Sequence, residues 1–333
     1  MLPRILLLAA VVIWGWTFVA TKVLVAELGP VEIFALRLAI GLPFLGGVLL
    51  VKGVPLRFAR ADALPLLAGG GIFALHFLVQ ITGLVTTTAT NTGWIISVSP
   101  LVLAALSRVF LGERMGWVGV AGIAVATAGI LLLVSRGDLG DLGWLESRGD
   151  WLILASAHTW ALFTVVTRDL SRRRHPLAVT FAILLVAAVL AGALFAASAD
   201  LERVRSLSPR GLVALLYLAI PGLALGQWFW QEGVARLGAA RAGLYLYLEP
   251  LSTLALAVPL LGEPFGPYIA GGGALVLAGV FLGQRGRPGN GLRRPRRRDR
   301  DRPGPGATVA PTGAGARRPA ERSDGPGHEG SGV

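Results

Sequence analysis

Cysteine is absent from the 333-residue chain, and this absence removes disulfides, thiolate metal ligands and thiol nucleophiles together. Lysine is nearly absent. Lys22 and Lys52 are the two, and neither stands in a GxxxxGK[ST] loop, so there is no phosphate cradle of the kind a nucleotide motor uses. Charge of either sign is scarce: Asp, Glu, Lys and Arg together make up 15% of the residues, against about 25% in soluble domains. That is too few to cover a water-exposed surface. No DDxxD-like run of acids and no cluster of metal ligands is present, so no enzymatic activity, cofactor or metal is expected.

What fills the chain instead is apolar. Hydrophobic residues make up 54%, and the mean hydropathy is +0.66. They come in blocks of about 20, the length a helix needs to cross the hydrocarbon core. Only helices or closed barrels satisfy the backbone in lipid. The blocks lack the alternation a barrel strand would show, so they predict an all-α polytopic protein. Helices are expected at 4–26, 31–51, 64–85, 89–110, 116–135, 149–169, 176–198, 210–231, 238–261 and 266–284. The first, too long for a signal-peptide core, reads as a retained span. With the N-terminus inside, twelve Lys and Arg fall in inner segments and six in outer ones before the tail is counted. The positive-inside rule then places both termini in the cytoplasm of a multi-pass plasma (inner) membrane protein.

From Gln284 onward the chain holds twelve arginines and five acidic residues among Pro, Gly and Ala. Segment 285–333 is expected to be a disordered basic tail. Its position directly after the last span suits anionic lipid headgroups as a partner; nucleic acid is not expected.

The chain also repeats. At an offset of 150, Leu111-Gly112-Glu113 meets Leu261-Gly262-Glu263 and Pro100-Leu101 meets Pro250-Leu251. Gly83, Gly93, Gly116, Gly122 and Gly129 meet Gly233, Gly243, Gly266, Gly272 and Gly279. At an offset of 146, Trp14, Thr21 and Pro30 meet Trp160, Thr167 and Pro176. This divides the chain into a first five-helix unit, 1–135, a connector, 136–148, and a second unit, 149–284. Five is odd, so the second copy enters from the opposite side and the two are inverted repeats. Secondary transporters are commonly built this way.

The mid-helix proline with a following Leu-Gly-Glu, the Gly-rich fifth helix, and Trp14-Gly15 followed by Thr21-Lys22 together resemble the drug/metabolite transporter superfamily. The likeness is to its ten-helix branch with two EamA-type domains, and it covers about residues 5–284. It implies a permease without ATP hydrolysis that moves small molecules, often an exporter of amino acids or other metabolites. A membrane-embedded lipid-modifying enzyme and a channel are the alternative classes.

Intramembrane polar groups mark candidate sites. Glu249, just before Pro250, is the expected centre, able to bind a substrate amine or carry a proton. Arg241, Tyr245 and Glu249 share a face at helical spacing. His76 and Gln80, and Gln227 and Gln231, form two polar stripes, read either as pocket walls or as interhelical hydrogen bonding. His158 and Trp160 in span six, Trp14 in span one and Trp94 in span four complete the expected substrate-binding set. Arg37 has Ile183 as its repeat counterpart; it can meet an anionic substrate, or pair with Glu32 or a carbonyl near the outer surface, and the structural pairing is the favoured reading. Glu113 and Glu263 recur at turns and are expected to cap the next helix.

Overall fold

A computed structural model describes residues 1–135, 145–261 and 266–285. The described residues form ten helical rods and no strand. They are α1 (Leu2–Leu24), α2 (Pro30–Val51), α3 (Ala63–Thr86), α4 (Ala89–Ile96 and Ser99–Leu111) and α5 (Trp117–Val134). The second half supplies α6 (Arg148–Arg173), α7 (Pro176–Ser198), α8 (Pro209–Tyr217 to Gly226–Leu237), α9 (Ala239–Gly243 to Glu249–Leu261) and α10 (Pro267–Arg285). Eight of these are long and apolar enough to cross a membrane. Of the other two, α6 carries His158, Arg168 and Asp169 along its length, and α10 ends in Gln284-Arg285. The outward surface is rich in large apolar side chains, among them Leu64, Val109, Trp117 and Val189, which suits lipid and not water. The expected Glu263 cap, the 136–144 part of the connector and the tail from 286 onward lie outside the described residues.

Packing follows the repeat. Helix α3 lies on α6, and its counterpart α8 lies on α1; α2 packs on α7, and α5 on α10. The glycines show the symmetry atom by atom. A Cβ placed on Gly122 would stand 2.6 Å from the Gly279 carbonyl oxygen, and one on Gly129 would stand 2.7 Å from that of Gly272. At the 150-residue offset each contact is the image of the other with partners exchanged. Likewise a Cβ on Gly83 would meet Ile153, and one on Gly233 would meet Leu7, with Leu7 and Ile153 separated by the 146-residue offset. Small residues at these points let backbones approach closely, which is how helices associate without a hydrophobic driving force in lipid.

Three rods are broken where the sequence predicts continuous helix. Helix α4 interrupts at Ser97–Val98, ahead of Pro100. At the same register of the second repeat, α9 runs as a 3₁₀ turn over Leu244–Leu248 ahead of Glu249-Pro250. A proline can donate no hydrogen bond and crowds the preceding turn, so each repeat unwinds just before it. Helix α8 widens into a π-helix over Leu218–Leu225, around Pro221. Such turns are frequent at functional sites.

The two ends of the bundle are closed differently. At the end where α1 begins, Asp62 holds Arg174 at 2.7 Å and Arg173 at 3.5 Å. There also Glu113 holds Arg168 at 2.7 Å while accepting from the Ala239 and Ala240 N–H groups at 3.3 and 3.0 Å. Glu113 therefore caps α9, not the helix that follows it. Gly238, at φ +88°, makes the turn that aims those N–H groups at the carboxylate. At the opposite end Lys22 donates to the Leu84 and Thr87 carbonyls at 3.0 and 2.7 Å. Asp150 accepts from Thr87 and Asn91. Glu27 accepts from the Ser208 N–H and hydroxyl; those bonds hold its carboxyl below the usual range.

Candidate substrate cavity

A cavity opens among α1, α2, α3, α4, α6 and α9. Its lining includes Trp14, Thr17, Phe18, Arg37, His76, Phe77, Gln80, Ile96, Trp160 and Glu249. The space between its atoms, including its open mouth, is about 370 Å³. The space is tight and suits a compact ligand. Thr17 and Phe18 lie late in α1, Gln80 late in α3 and Arg37 early in α2, so the cavity occupies the half of the bundle away from the chain's N-terminus.

Its floor is aromatic. Trp14 and Trp160 meet edge to face, with centroids 5.0 Å apart at 85°. Trp230 joins both, at 5.5 and 5.6 Å. Trp14 and Trp160 are repeat equivalents, so their contact sits on the pseudo-two-fold axis. The Trp14 indole N–H donates to the Gly222 carbonyl at 2.9 Å. That oxygen belongs to the π turn of α8, and the bond ties the cavity floor to the turn.

Besides Thr17, whose hydroxyl donates to the Trp14 carbonyl at 2.6 Å, four polar side chains reach the walls. Glu249 is 4% exposed, and its carboxylate makes no hydrogen bond or ion pair among the described residues. The unwound turn before Pro250 presents it. His76 Nδ1 lies 2.9 Å from the Ser156 carbonyl oxygen. A carbonyl only accepts, so Nδ1 carries the proton and Nε2 is left as a lone-pair acceptor. Gln80 is buried with no protein partner among the described residues. Arg37 is 2% exposed; its guanidinium lies over the Phe77 ring at 4.3 Å, and its Nε has no partner.

The structure thus gathers Glu249, His76, Gln80, Trp14 and Trp160 in one place. The other expected residues stand elsewhere. Tyr245 packs in the apolar core. Four residues make slightly more than one α-turn, but a 3₁₀ turn advances about 120° per residue; the Leu244–Leu248 segment thereby turns Tyr245 away from Glu249. Gln231 is satisfied by α6, accepting from Ser171 at 3.1 Å and donating to Thr167 at 3.3 Å. Gln227 is buried with an unpartnered Nε2, below the tryptophan floor. His158 is exposed on α6 and bonds to Leu154 of its own helix. Trp94 lines a separate apolar crevice with Thr127 and Tyr247, whose hydroxyls lie 2.9 Å apart. Arg37 does not pair with Glu32, which instead accepts from the Asp200 N–H at 3.0 Å. Its asymmetry with Ile183 is the sequence signal that set it apart. Thr17, Phe18 and Ile96 carry no such signal, because they read as ordinary span residues.

The sequence pattern of the EamA-like transporter family matches residues 1–135 and 147–283. A protein of Streptantibioticus cattleyicolor named as a probable terminal-alkyne amino-acid exporter is 31% identical over 284 residues, covering 83% of this chain and 91% of its own. The Bacillus subtilis protein YyaM, named as a transporter, is 29% identical, covering 83% and 92%. A Salmonella typhimurium protein named as a probable amino-acid metabolite efflux pump is 27% identical, covering 83% and 93%. A crystal structure with 20% identity shares the fold at a TM-score of 0.68, covering 84% of this chain and 95% of that one.

Proposed function

The chain belongs to the EamA-like transporter family, and from that premise we propose that it is a secondary transporter exporting small metabolites, such as amino acids or drug-like compounds, by alternating access. The observation that carries this reading is a compact cavity on one side of the pseudo-two-fold axis, with an aromatic floor on the axis, polar walls, and Glu249 without a hydrogen-bond partner among the described residues. The relatives' names, transporter, exporter and efflux pump, support the same class.

The inverted repeat supplies the mechanism. In such proteins one repeat adopts in turn the conformation the other holds now. The repeat images of Phe18, Phe77 and Gln80 are Thr164, Gln227 and Trp230. These are buried on the closed side, and Trp230 donates to Thr164 at 3.3 Å. When the cavity opens the other way, they become its walls. The excess of Lys and Arg assigns the α1-starting end to the cytoplasm, so the conformation described here is directed outward with its cytoplasmic end bolted. Glu249 binds a substrate amine or carries a coupled proton, and the His76 Nε2 lone pair and the Gln80 amide complete the polar wall.

A metabolite survey of cells with and without the protein, medium and cytosol measured separately, tests export. At least one small polar metabolite is expected to fall in the cytosol and rise in the medium. No redistribution under any growth condition would contradict the reading.

A further inference from the structure

Arg37 is a charged cavity residue to which neither the fold nor the transport reading has yet given a partner. It is nearly inaccessible, lies seven residues into α2, and has no hydrogen bond or ion pair among the described residues; its only charge-stabilising contact is the Phe77 face. A buried guanidinium without a counter-ion is costly, and the local acid, Glu32, is engaged by the Asp200 N–H. The fold itself does not need it: at the equivalent position of the second repeat, Ile183 is fully buried and packs against Gly69 and Gly70. Its Cζ lies over the Phe77 ring at 4.3 Å and its buried Nε has no partner, and a guanidinium is a planar fork of N–H donors that a carboxylate meets bidentately. The same cavity presents Glu249 as an unpaired acid.

We propose that Arg37 is the anion-binding, specificity-determining residue of this cavity, selecting ligands that carry a carboxylate, with Glu249 receiving a cationic group on the same molecule. This rests on the transport reading above. The ligand completes both charges at once, so a molecule with only one of them leaves the other buried and unpaired. Selectivity then lies with the polar head, and the tryptophan floor takes a short apolar tail.

The test compares three shape-matched probes on the purified full-length protein: norvaline, which has both groups, butylamine, which lacks the carboxylate, and pentanoate, which lacks the amine. Binding is read by fluorescence of the cavity tryptophans and flux by proteoliposome uptake. Norvaline is expected to bind at least about tenfold more tightly than butylamine, and Arg37→Ile to abolish that preference. Arg37→Lys keeps the charge without the fork and should retain part of it. Removing the unpaired charge should raise the melting temperature of the ligand-free Arg37→Ile protein, whereas a structural arginine would lower it on removal. Equal binding of norvaline and butylamine, binding of neither, a preference that survives Arg37→Ile, or a lowered melting temperature would each overturn the assignment. Norvaline binding that depends on Arg37 but produces no flux would preserve the anion site and contradict transport; flux of butylamine that ignores Arg37 would do the reverse.

Discussion

Glu249 carries the account at the scale of single residues. A carboxylate buried beside tryptophans, without a donor among the described residues, is stable only if a ligand or a proton completes it. Glu249→Gln keeps the shape and removes the charge. Flux of the exported metabolite is expected to fall at least about tenfold, with membrane insertion and melting temperature unchanged or raised; unchanged flux in a proteoliposome assay would remove Glu249 from the transport path. Part of this chemistry was readable in advance, because an acid before a mid-span proline is conspicuous. For Arg37 the sequence leaves two readings open, an anionic substrate or a structural pairing, and favours the second. From sequence alone Glu32, five residues before Arg37, offers itself as a partner, and only the folded chain shows that the Asp200 backbone, 168 residues on, has taken it. Gln227 and Gln231 look identical to His76 and Gln80 as polar stripes. What separates them is which half of the bundle is open, a property of the conformation and not of the residues.

At the scale of elements, the breaks and the close crossings set the geometry. Hydropathy locates ten rods well, since lipid demands about twenty apolar residues from each. It does not locate the 3₁₀ turn of α9 or the π turn of α8, because unwound backbone that lines a cavity keeps an apolar composition. The α5–α10 crossing depends on glycine backbones in mutual contact. Gly129→Leu must push its side chain into the Gly272 carbonyl and the Val276 N–H. That overpacking should cost about 1–3 kcal/mol or more, measured as a lower melting temperature in detergent; an unchanged value would contradict the packing described. The bolt at the α1-starting end is a second element-scale device. Glu113 serves Arg168 and two N–H groups of α9 together, so Glu113→Gln removes the charge from all three contacts. Hydrogen exchange of the amides of 239–242 is expected to quicken. Exchange equal to that of the unaltered protein would mean the carboxylate does not hold that end.

For the whole molecule, the duplicated register in the sequence and the mirrored contacts in the fold describe one object. Gly122 on Gly279 and Gly129 on Gly272, or Trp14 on Trp160, are what a two-fold axis in the membrane plane produces. The polar-walled cavity on one side of that axis is what an asymmetric pair of like halves produces. The absence of cysteine makes the central claim, alternating access, directly measurable. Single cysteines placed at the repeat-equivalent positions Phe18 and Thr164 are probed with a membrane-impermeant maleimide in vesicles of both orientations. Phe18→Cys is expected to react only from the side away from the N-terminus and Thr164→Cys only from the N-terminal side, with any condition that increases one rate decreasing the other. Simultaneous access to both positions, or a Thr164→Cys that never reacts from either side, would contradict the account.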